Sequence, residues 1–329
     1  MGKPRKPRGR QLDGILLLDK PGGMTSNAAL QRAKWLFAAA KAGHTGSLDP
    51  MATGVLPLCF GEATKFSQYL LDADKTYRCT MRFGITTNTG DADGEVLVNK
   101  PAPALTRDAV ESALVRFVGE IEQVPSMFSA IKHQGQPLYK LAREGIEVER
   151  AARKVTVYRL VITDFRGGEY PEADVEAHVS KGTYIRTLAE DVGALLECGA
   201  HISRLHRCQA GPFHEDSCIS LERLEAERGE GRAELLDHFL LPVEKAIDHL
   251  PTVTVPEASG FYLRQGQPVL EVKALHAAAV GDMVRVVLES GEFLGVAEIQ
   301  PDGRIAPRKL LQQRSQQSVT PTVNMHGRA

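Results

Sequence analysis

The sequence has few cysteines and no pairs of them at a spacing that suggests a bound metal. Its 329 residues include five cysteines, which are widely spaced and never form a C-x-x-C motif. An odd number at this density predicts reduced thiols in a cytosolic protein and argues against a disulfide framework. The ten histidines do not pair at ligand spacings, and H-E-x-x-H is missing. The sequence therefore predicts no metal site.

Long apolar runs are also missing. No run approaches the roughly 18–20 residues that a membrane span requires. The first ten residues carry five basic side chains, but the apolar residues 15–18 that follow are too few for the core of a signal peptide. We therefore expect a cytoplasmic protein without membrane contact.

The formal net charge of −1 shows no excess of basic residues. A polyanion could bind only through local clusters of Lys and Arg. Neither GxxxxGK[ST] nor GxGxxG occurs, although Pro-Gly-Gly follows a predicted strand, and these absences exclude the common nucleotide-binding loops. No nucleophile elbow marks a serine hydrolase.

The length and the local composition predict two domains between two disordered ends. We expect a basic arm at residues 1–11, a main domain at 12–250, a small β-rich domain at 251–312 and a polar tail at 313–329. Alternation predicts strands at 14–20, 55–60, 75–83, 154–165, 173–180, 201–208, 284–288 and 293–299. Helical patterns cover 26–40 with Ser26 as the cap, 62–71, 105–117, 138–144, 187–196 and 220–241.

Residues 43–54, GHTGSLDPMATG, are the segment around which we organise the chain. Three glycines, a proline and one carboxylate, Asp49, occur in this short irregular stretch. Glycine permits positive φ and close approach to a ligand, and Pro50 fixes the chain directly after Asp49. Composition alone leaves two interpretations open, a connecting loop and a functional site.

Residues 123–153 combine basic and aromatic side chains in a loop-like excursion from the main domain. This combination suits RNA, because bases stack on aromatic rings and phosphates pair with cations. An ordinary charged loop explains the same composition. The turn at 86–94, TTNTGDADG, contains part of a calcium-loop pattern but lacks its remaining ligands.

Five segments resemble the TruB family of pseudouridine synthases. Residues 43–54 are similar to its catalytic motif, and residues 14–23, GILLLDKPGG, are similar to its N-terminal motif. KTYR at 75–78 and SKGTYIR at 180–186 resemble the motifs that carry its active-site tyrosines and arginine. Residues 252–312 resemble a PUA-type RNA-binding domain. Ser47 departs from the family pattern, in which alanine is usual.

The resemblance implies an α+β fold. Its catalytic domain has a mixed, mostly antiparallel β-sheet flanked by helices and loops, and a small β-rich PUA-type domain follows it. The implied activity converts uridine at position 55 in the T loop of tRNA to pseudouridine, without a cofactor or a metal. The segment 123–153 resembles the thumb-like insertion of stand-alone bacterial tRNA enzymes, which guide-RNA-dependent relatives lack.

The same resemblance assigns roles to single residues. Asp49 is the reacting carboxylate, Tyr77 stacks on the extruded uracil, and Arg186 keeps Asp49 ionised. The implied substrate-binding residues are His44, which fills the vacated base stack, with Tyr184 and Leu205. As a basic residue, Lys20 is also expected to bind the substrate, by contacting a phosphate. Asp91, Gly43 and Pro50 are the implied supporting residues. Whether Asp49 attacks C1′ or acts through a glycal-type route stays open at the level of sequence.

The expected partner is tRNA, contacted at its T stem-loop and its acceptor end. We expect a monomer with no obligate protein partner. Two other functions compete with this interpretation. One is an RNA-binding or tRNA-folding protein, against which the intact Asp49, Tyr77, Tyr184 and Arg186 argue. The other is a guide-RNA-dependent synthase, against which the segment 123–153 argues.

Overall fold

The computed structural model describes residues 9–129, 131–271 and 274–312. The predicted tail at 313–329 and the basic arm as far as residue 8 lie outside the described residues. The chain divides into two compact units after Ile247, and each has its own hydrophobic core. Among the described residues, no helix is both long enough and apolar enough to cross a membrane.

The first unit is built on one large sheet. Its strands and those of two small hairpins are β1 (Gly14–Lys20), β2 (Ala42–His44), β3 (Thr53–Phe60), β4 (Lys75–Phe83), β5 (Ile85–Thr87), β6 (Val96–Asn99), β7 (Gly119–Gln123), β8 (Lys132–His133), β9 (Gln136–Pro137), β10 (Arg153–Arg166), β11 (Glu172–Val179), β12 (Ala200–Ala210), β13 (Phe213–His214) and β14 (Ile219–Ser220).

The large sheet follows the order β14-β1-β3-β12-β4-β11-β10-β7, with β2 added to β3 and β13 added to β12. The pairs β1–β14 and β3–β12 are parallel, and the other ladders of this sheet are antiparallel. The expected α+β fold with a mixed, mostly antiparallel sheet is confirmed. The parallel β3–β12 pair joins the end of the 43–54 segment to a strand more than 140 residues later in the chain.

Helices connect and cover these strands. They are α1 (Ser26–Leu36), α2 (Ser67–Asp72), α3 (Arg107–Val115), α4 (Leu138–Arg143), α5 (Ile185–Leu195) and α6 (Leu221–Arg228). Short 3₁₀ helices cover Gly61–Phe66, Glu215–Ser217, Ala233–Phe239 and Val243–Ile247. In α5 the buried Ile185, Leu188, Ala189 and Val192 recur at helical spacing and pack toward the sheet.

Several predicted boundaries were wrong. Thr25 caps α1 by accepting from the N–H of Ala28 at 3.1 Å, so Ser26 is the first helical residue and not the cap. The helix ends at Leu36, four residues early, because the chain reverses at Ala38 with a φ of 49°. The predicted helix at 62–71 is split between a 3₁₀ helix and α2.

The predicted helix at 220–241 is also interrupted. The α-helix α6 ends at Arg228, and Gly229 follows with a φ of 50°. Glycine is the usual residue at such an ending because it has no Cβ to clash. A 3₁₀ helix, Ala233–Phe239, occupies the remainder.

The second unit is a small sheet with two short helices, α7 (Glu257–Arg264) and α8 (Ala274–Ala277). Its strands are β15 (Thr252–Val255), β16 (Val269–Leu270), β17 (Met283–Leu288), β18 (Phe293–Ile299) and β19 (Arg304–Leu310), in the order β15-β17-β18-β19-β16. Alternating side chains of β17 are buried, as the sequence pattern predicts.

The helix α5 supplies a test of the core. Leu188 is fully buried, so Leu188→Ala should lower the free energy of unfolding by about 2–5 kcal/mol through lost burial and a residual cavity. Leu195 lies on the same helix and is 37% exposed, so Leu195→Ala should cost less than about 1 kcal/mol. Denaturant unfolding measures both values. Equal losses would contradict the burial of this face.

Candidate active site

Lys20 supports the loop that carries Asp49. Its side chain is fully buried at the end of β1. The Nζ atom donates to the carbonyls of Pro21 at 2.8 Å, Pro50 at 3.2 Å and Ala52 at 2.7 Å. Two of these carbonyls belong to residues that closely follow Asp49 in the chain, so Lys20 fixes the local backbone. The predicted contact of Lys20 with a phosphate was wrong, because its three donors are used inside the protein.

Two further side chains hold the rest of the loop. The hydroxyl of Ser26 accepts from the N–H of Leu48 at 2.8 Å and donates to the carbonyl of the same residue at 3.1 Å. Arg207 is 1% exposed, and its guanidinium donates to the carbonyls of Val55 at 2.7 Å and Gly46 at 3.3 Å. The irregular backbone around Asp49 is thus held by side chains from three different elements.

Gly54 ends this loop in a conformation that a larger residue resists. Its φ is +100°, and a Cβ there would lie 2.3 Å from the carbonyl oxygen of Arg207. The glycine therefore allows β3 and β12 to approach closely. Gly43 differs from this, because it lies in β2 without a positive φ and a Cβ would meet nothing within 4 Å. The structure does not require glycine at position 43, contrary to the sequence prediction.

Asp49 is bound by the guanidinium of Arg186 through two contacts. The Nη2–Oδ1 distance is 3.0 Å and the Nε–Oδ2 distance is 2.9 Å. The Arg186 side chain is only 4% exposed. Two-point pairing fixes both planes and is the strong geometry for an arginine and a carboxylate. The predicted pairing of these two residues is therefore present in the structure.

Other groups complete the shell of Arg186. Its Nη1 donates to the carbonyl of Thr89 at 2.6 Å and lies 3.6 Å from Oδ2 of Asp91. Its Nη2 also donates to the carbonyl of Phe128 at 3.2 Å. The hydroxyl of Thr89 in turn donates to Asp91 at 2.6 Å. The turn at 86–94, which contains no helix or strand at its tip, thus serves to hold the arginine.

The electrostatic environment favours protonation of Asp49. Burial raises the pKa of Asp49, the Arg186 cation opposes this increase, and the Asp91 carboxylate adds to it. The net direction is upward. Burial also lowers the pKa of Lys20 to about 8 and that of His44 below its ordinary value. The imidazole of His44 is therefore neutral at neutral pH.

Asp49 and Arg186 border two adjoining clefts. One, of about 770 Å³, is also lined by His44, Tyr77, Tyr184 and Leu205. On the paired strands β4 and β12, Leu205 lies opposite Cys79, and Arg207 lies opposite Tyr77. Antiparallel pairing therefore brings the tyrosine and the leucine to the same face.

The second cleft, of about 680 Å³, lies toward the segment between β7 and β10. Asp91 borders it, together with Phe128, Tyr139 and Arg143 from that segment. Pro50 also lines this cleft. All the residues predicted from the sequence except Lys20 and Gly43 therefore border one of the two clefts. Ser26, Thr89 and Arg207 were missed, because no motif distinguishes them from ordinary polar residues.

One group among the described residues has ligand types suitable for a metal. His206, Cys208 and Glu215 bring their ligand atoms within 4.8 Å of one another. The Nε of Arg78 donates to the Sγ of Cys208 at 3.0 Å, and its guanidinium also pairs with Glu215. The guanidinium of Arg78 therefore already supplies a positive charge to this group. Ligand spacing in the sequence does not indicate this group, because Glu215 reaches the two others only through the β12–β13 hairpin.

Comparison with known proteins decides the family. The family model "TruB family pseudouridylate synthase (N terminal domain)" matches residues 34–185, and two TruB C-terminal models match 186–248 and 251–311. A curated tRNA pseudouridine synthase B of Saccharophagus degradans is 54% identical over 313 residues, which are 95% of this chain and 100% of the relative. The chain belongs to the TruB family of pseudouridine synthases.

One further relative and two solved structures are also similar to this chain. A tRNA pseudouridine synthase B of Coxiella burnetii is 52% identical over 93% of this chain and 96% of its own length. The solved structure of a Cbf5-Nop10-Gar1 complex has a TM-score of 0.66 and 26% identity over 92% of this chain and 84% of that chain. A structure of an H/ACA RNP bound to a substrate RNA has a TM-score of 0.68 at 23% identity, covering 95% and 92%, and shares the fold.

The support from Lys20 can be tested by removing its donors. Lys20→Met removes the lysine donor from three carbonyls, although the carbonyl of Pro50 keeps its bond from the N–H of Gly23, so the free energy of unfolding should fall by about 1–3 kcal/mol. Lys41 is exposed directly before β2, and Lys41→Met should change the same quantity by less than about 0.5 kcal/mol. Chemical denaturation measures both variants. An unchanged stability of Lys20→Met would show that water replaces the lysine without cost.

Proposed function

We propose that this chain isomerises uridine to pseudouridine at position 55 in the T loop of tRNA. The observation that carries the proposal is the pairing of the buried Arg186 with the partly exposed Asp49 beside two clefts, in a chain that is 54% identical to a tRNA pseudouridine synthase B over nearly its whole length. A carboxylate held in this way is suited to act on a ribose carbon or on the base.

The reaction exchanges one bond for another. The glycosidic bond between C1′ and N1 breaks, the uracil rotates within the site, and C1′ joins C5. The hydrogen leaves C5 and a hydrogen is gained at N1, so no oxidant or transferred group is needed and no cofactor is required. Direct attack of Asp49 on C1′ and a glycal-type route both need an ionised carboxylate at this position.

The first cleft supplies walls for the released base. Tyr77 would stack on the uracil, Tyr184 would form the opposite wall, and Leu205 would contact the base or ribose from β12. The target base must leave its stack, which costs about a few kcal/mol. The neutral His44, which lines both clefts, would fill the vacated stack. A neutral ring suits this place because it stacks without a desolvated charge.

RNA would reach the site across the segment between β7 and β10. Arg143 of this segment borders the second cleft and Lys132 borders the first. These cations are placed to contact phosphates, in the role that Lys20 does not fill. The PUA-like unit at 251–312 would bind the acceptor end. The segment resembles the insertion of stand-alone enzymes, which supports activity without a guide RNA. We propose that the enzyme is monomeric and cytoplasmic and needs no protein partner.

The decisive experiment uses the purified chain alone. Incubation with an unmodified T stem-loop RNA should produce pseudouridine, mapped by a reagent specific for it. The product should appear at the position equivalent to 55. Binding without product would favour an RNA-folding protein, and product only with added guide RNA would favour a guide-dependent synthase.

Asp49→Asn tests the reacting carboxylate. The amide keeps the shape but cannot ionise, so turnover should fall by about 10⁴-fold or more while RNA binding persists. Turnover comes from the single-turnover yield of pseudouridine, and binding comes from filter retention. Asp164→Asn, on an exposed part of β10, should leave both unchanged. Appreciable product from Asp49→Asn would remove Asp49 from the chemistry.

Arg186→Met tests the electrostatic role of the arginine. Asp49 is active when ionised, so activity is present above its pKa and is lost as the pH falls through it. Burial raises the pKa of Asp49 and the Arg186 cation lowers it, so removal of the cation raises this pKa further. The acid limb of the rate profile should therefore move to higher pH. The variant should lose most near and below neutral pH. Arg159→Met changes an exposed surface pair and should keep the native profile; an unmoved limb in Arg186→Met would contradict this role.

A further inference from the structure

Gln123 is the last residue of β7, and its side chain binds the backbone at the start of α5. Its side chain is buried, with the residue 2% exposed. The amide oxygen accepts from the N–H of Tyr184 at 3.0 Å, and the amide nitrogen donates to the carbonyl of Tyr184 at 3.2 Å. One side chain thus binds both backbone groups of a single residue, as a neighbouring strand would.

The residue held by Gln123 lies directly before α5. Tyr184 occupies the N-cap position of this helix and has no capping hydrogen bond from its side chain. Arg186 follows two residues later, on the first turn. The direction in which the helix starts therefore sets the point from which the Arg186 side chain leaves the backbone.

The same segment meets Arg186 a second time. Five residues after Gln123, the carbonyl of Phe128 accepts from Nη2 of Arg186 at 3.2 Å. The N–H of Phe128 is bound by the hydroxyl of Ser126 at 3.2 Å. Residues 123–128 therefore bind the backbone just before Arg186, through Tyr184, and also the guanidinium group of Arg186.

We infer that Gln123 is a positioning residue for the isomerisation, and that it aligns Arg186 on Asp49 through the backbone of Tyr184. The inference rests on the proposed function. It connects the segment that would contact RNA with the charge pair that would carry the chemistry, through hydrogen bonds that are all buried or partly buried.

Several charged groups near Gln123 and Asp49 influence how the rate depends on pH. Arg186 from α5, Asp91 from the 86–94 turn and Lys20 from β1 act on Asp49. Glu190, one turn along α5, interacts electrostatically with Arg186 and Asp91. On the Gln123 side, Arg153 of β10 is its partner in the strand register, and Arg153 also acts on Tyr184.

Loss of the amide should weaken the chemical step more than binding. In Gln123→Ala the start of α5 loses both contacts, and Arg186 is no longer aligned with Asp49 to within an ångström. Misplacement of this size lowers kcat by up to about 100-fold, and we expect a loss of about 10- to 100-fold with KM nearly unchanged. The acid limb of kcat should move to higher pH, because the cation opposes protonation of Asp49 less well.

Gln123→Glu provides the matched variant. A protonated glutamic acid has the shape of glutamine and both donates and accepts, whereas its ionised form loses the donor and places a charge against the Tyr184 carbonyl. The rate of Gln123→Glu relative to the native enzyme should therefore rise as the pH falls. The relative rate of Gln123→Ala should fall over the same range.

The experiment measures single-turnover pseudouridine formation by both variants and the native chain across a pH series. Gln209→Ala is the control, since Gln209 is a partly buried amide that bonds to Thr76 and the carbonyl of Gly211 away from α5. Its relative rate should not depend on pH. Opposite pH slopes for the two Gln123 variants would support the inference.

A relative rate of Gln123→Ala that does not change with pH would reduce Gln123 to a structural role and overturn the inference. If Gln123→Ala does not fold, a flat relative rate for Gln123→Glu overturns it equally. Failure of the proposed function is distinct, because the native chain would then form no pseudouridine at any pH.

Discussion

The buried guanidinium of Arg186 is the constraint on which the site depends. A cation that is only 4% exposed is costly unless carboxylates and carbonyls surround it. Its partners come from the loop of Asp49, the turn of Thr89 and Asp91, and the segment of Phe128. These three segments are far apart in the chain and share no ladder, so satisfying one charge assembles the site. Because the shell is complete before substrate arrives, the charge stabilisation needs no rearrangement during the reaction.

The sequence contained the chemistry of the site but, apart from Asp91, little of its support. The motifs that contain the main site residues can be recognised without knowledge of the fold. The structure brings these residues to one cleft: Asp49, Tyr77, Tyr184 and Arg186. Alternating strands such as Lys75–Phe83 were predictable, because a half-buried sheet imposes a period of two. The β-rich second unit follows from the same patterns, and the mixed sheet follows from the family resemblance.

The supporting residues could not be predicted from their types. A lysine in a sequence indicates an exposed cation, yet Lys20 is buried because its ammonium group donates to three carbonyls at and near an irregular loop. Arg207 and Gln123 act in a similar way, since each is buried and binds backbone groups of a segment that is distant in the chain. Such needs arise only when distant segments meet. The ends of α1 and α6 were missed for a local reason, because a side-chain cap and a left-handed residue decide them at the level of single φ angles.

The close crossing of Gly54 and Arg207 has a consequence for the accuracy of the site. It joins the loop that follows Asp49 to the strand that carries Leu205, and the contact is between main chains. Main-chain contacts do not change when side chains exchange rotamers. The spacing between the carboxylate loop and the wall of the base cleft therefore has the stiffness of a β-ladder. Thermal motion of individual side chains can change how the base fits in the cleft, but it does not change the distance between the loop of Asp49 and the strand of Leu205.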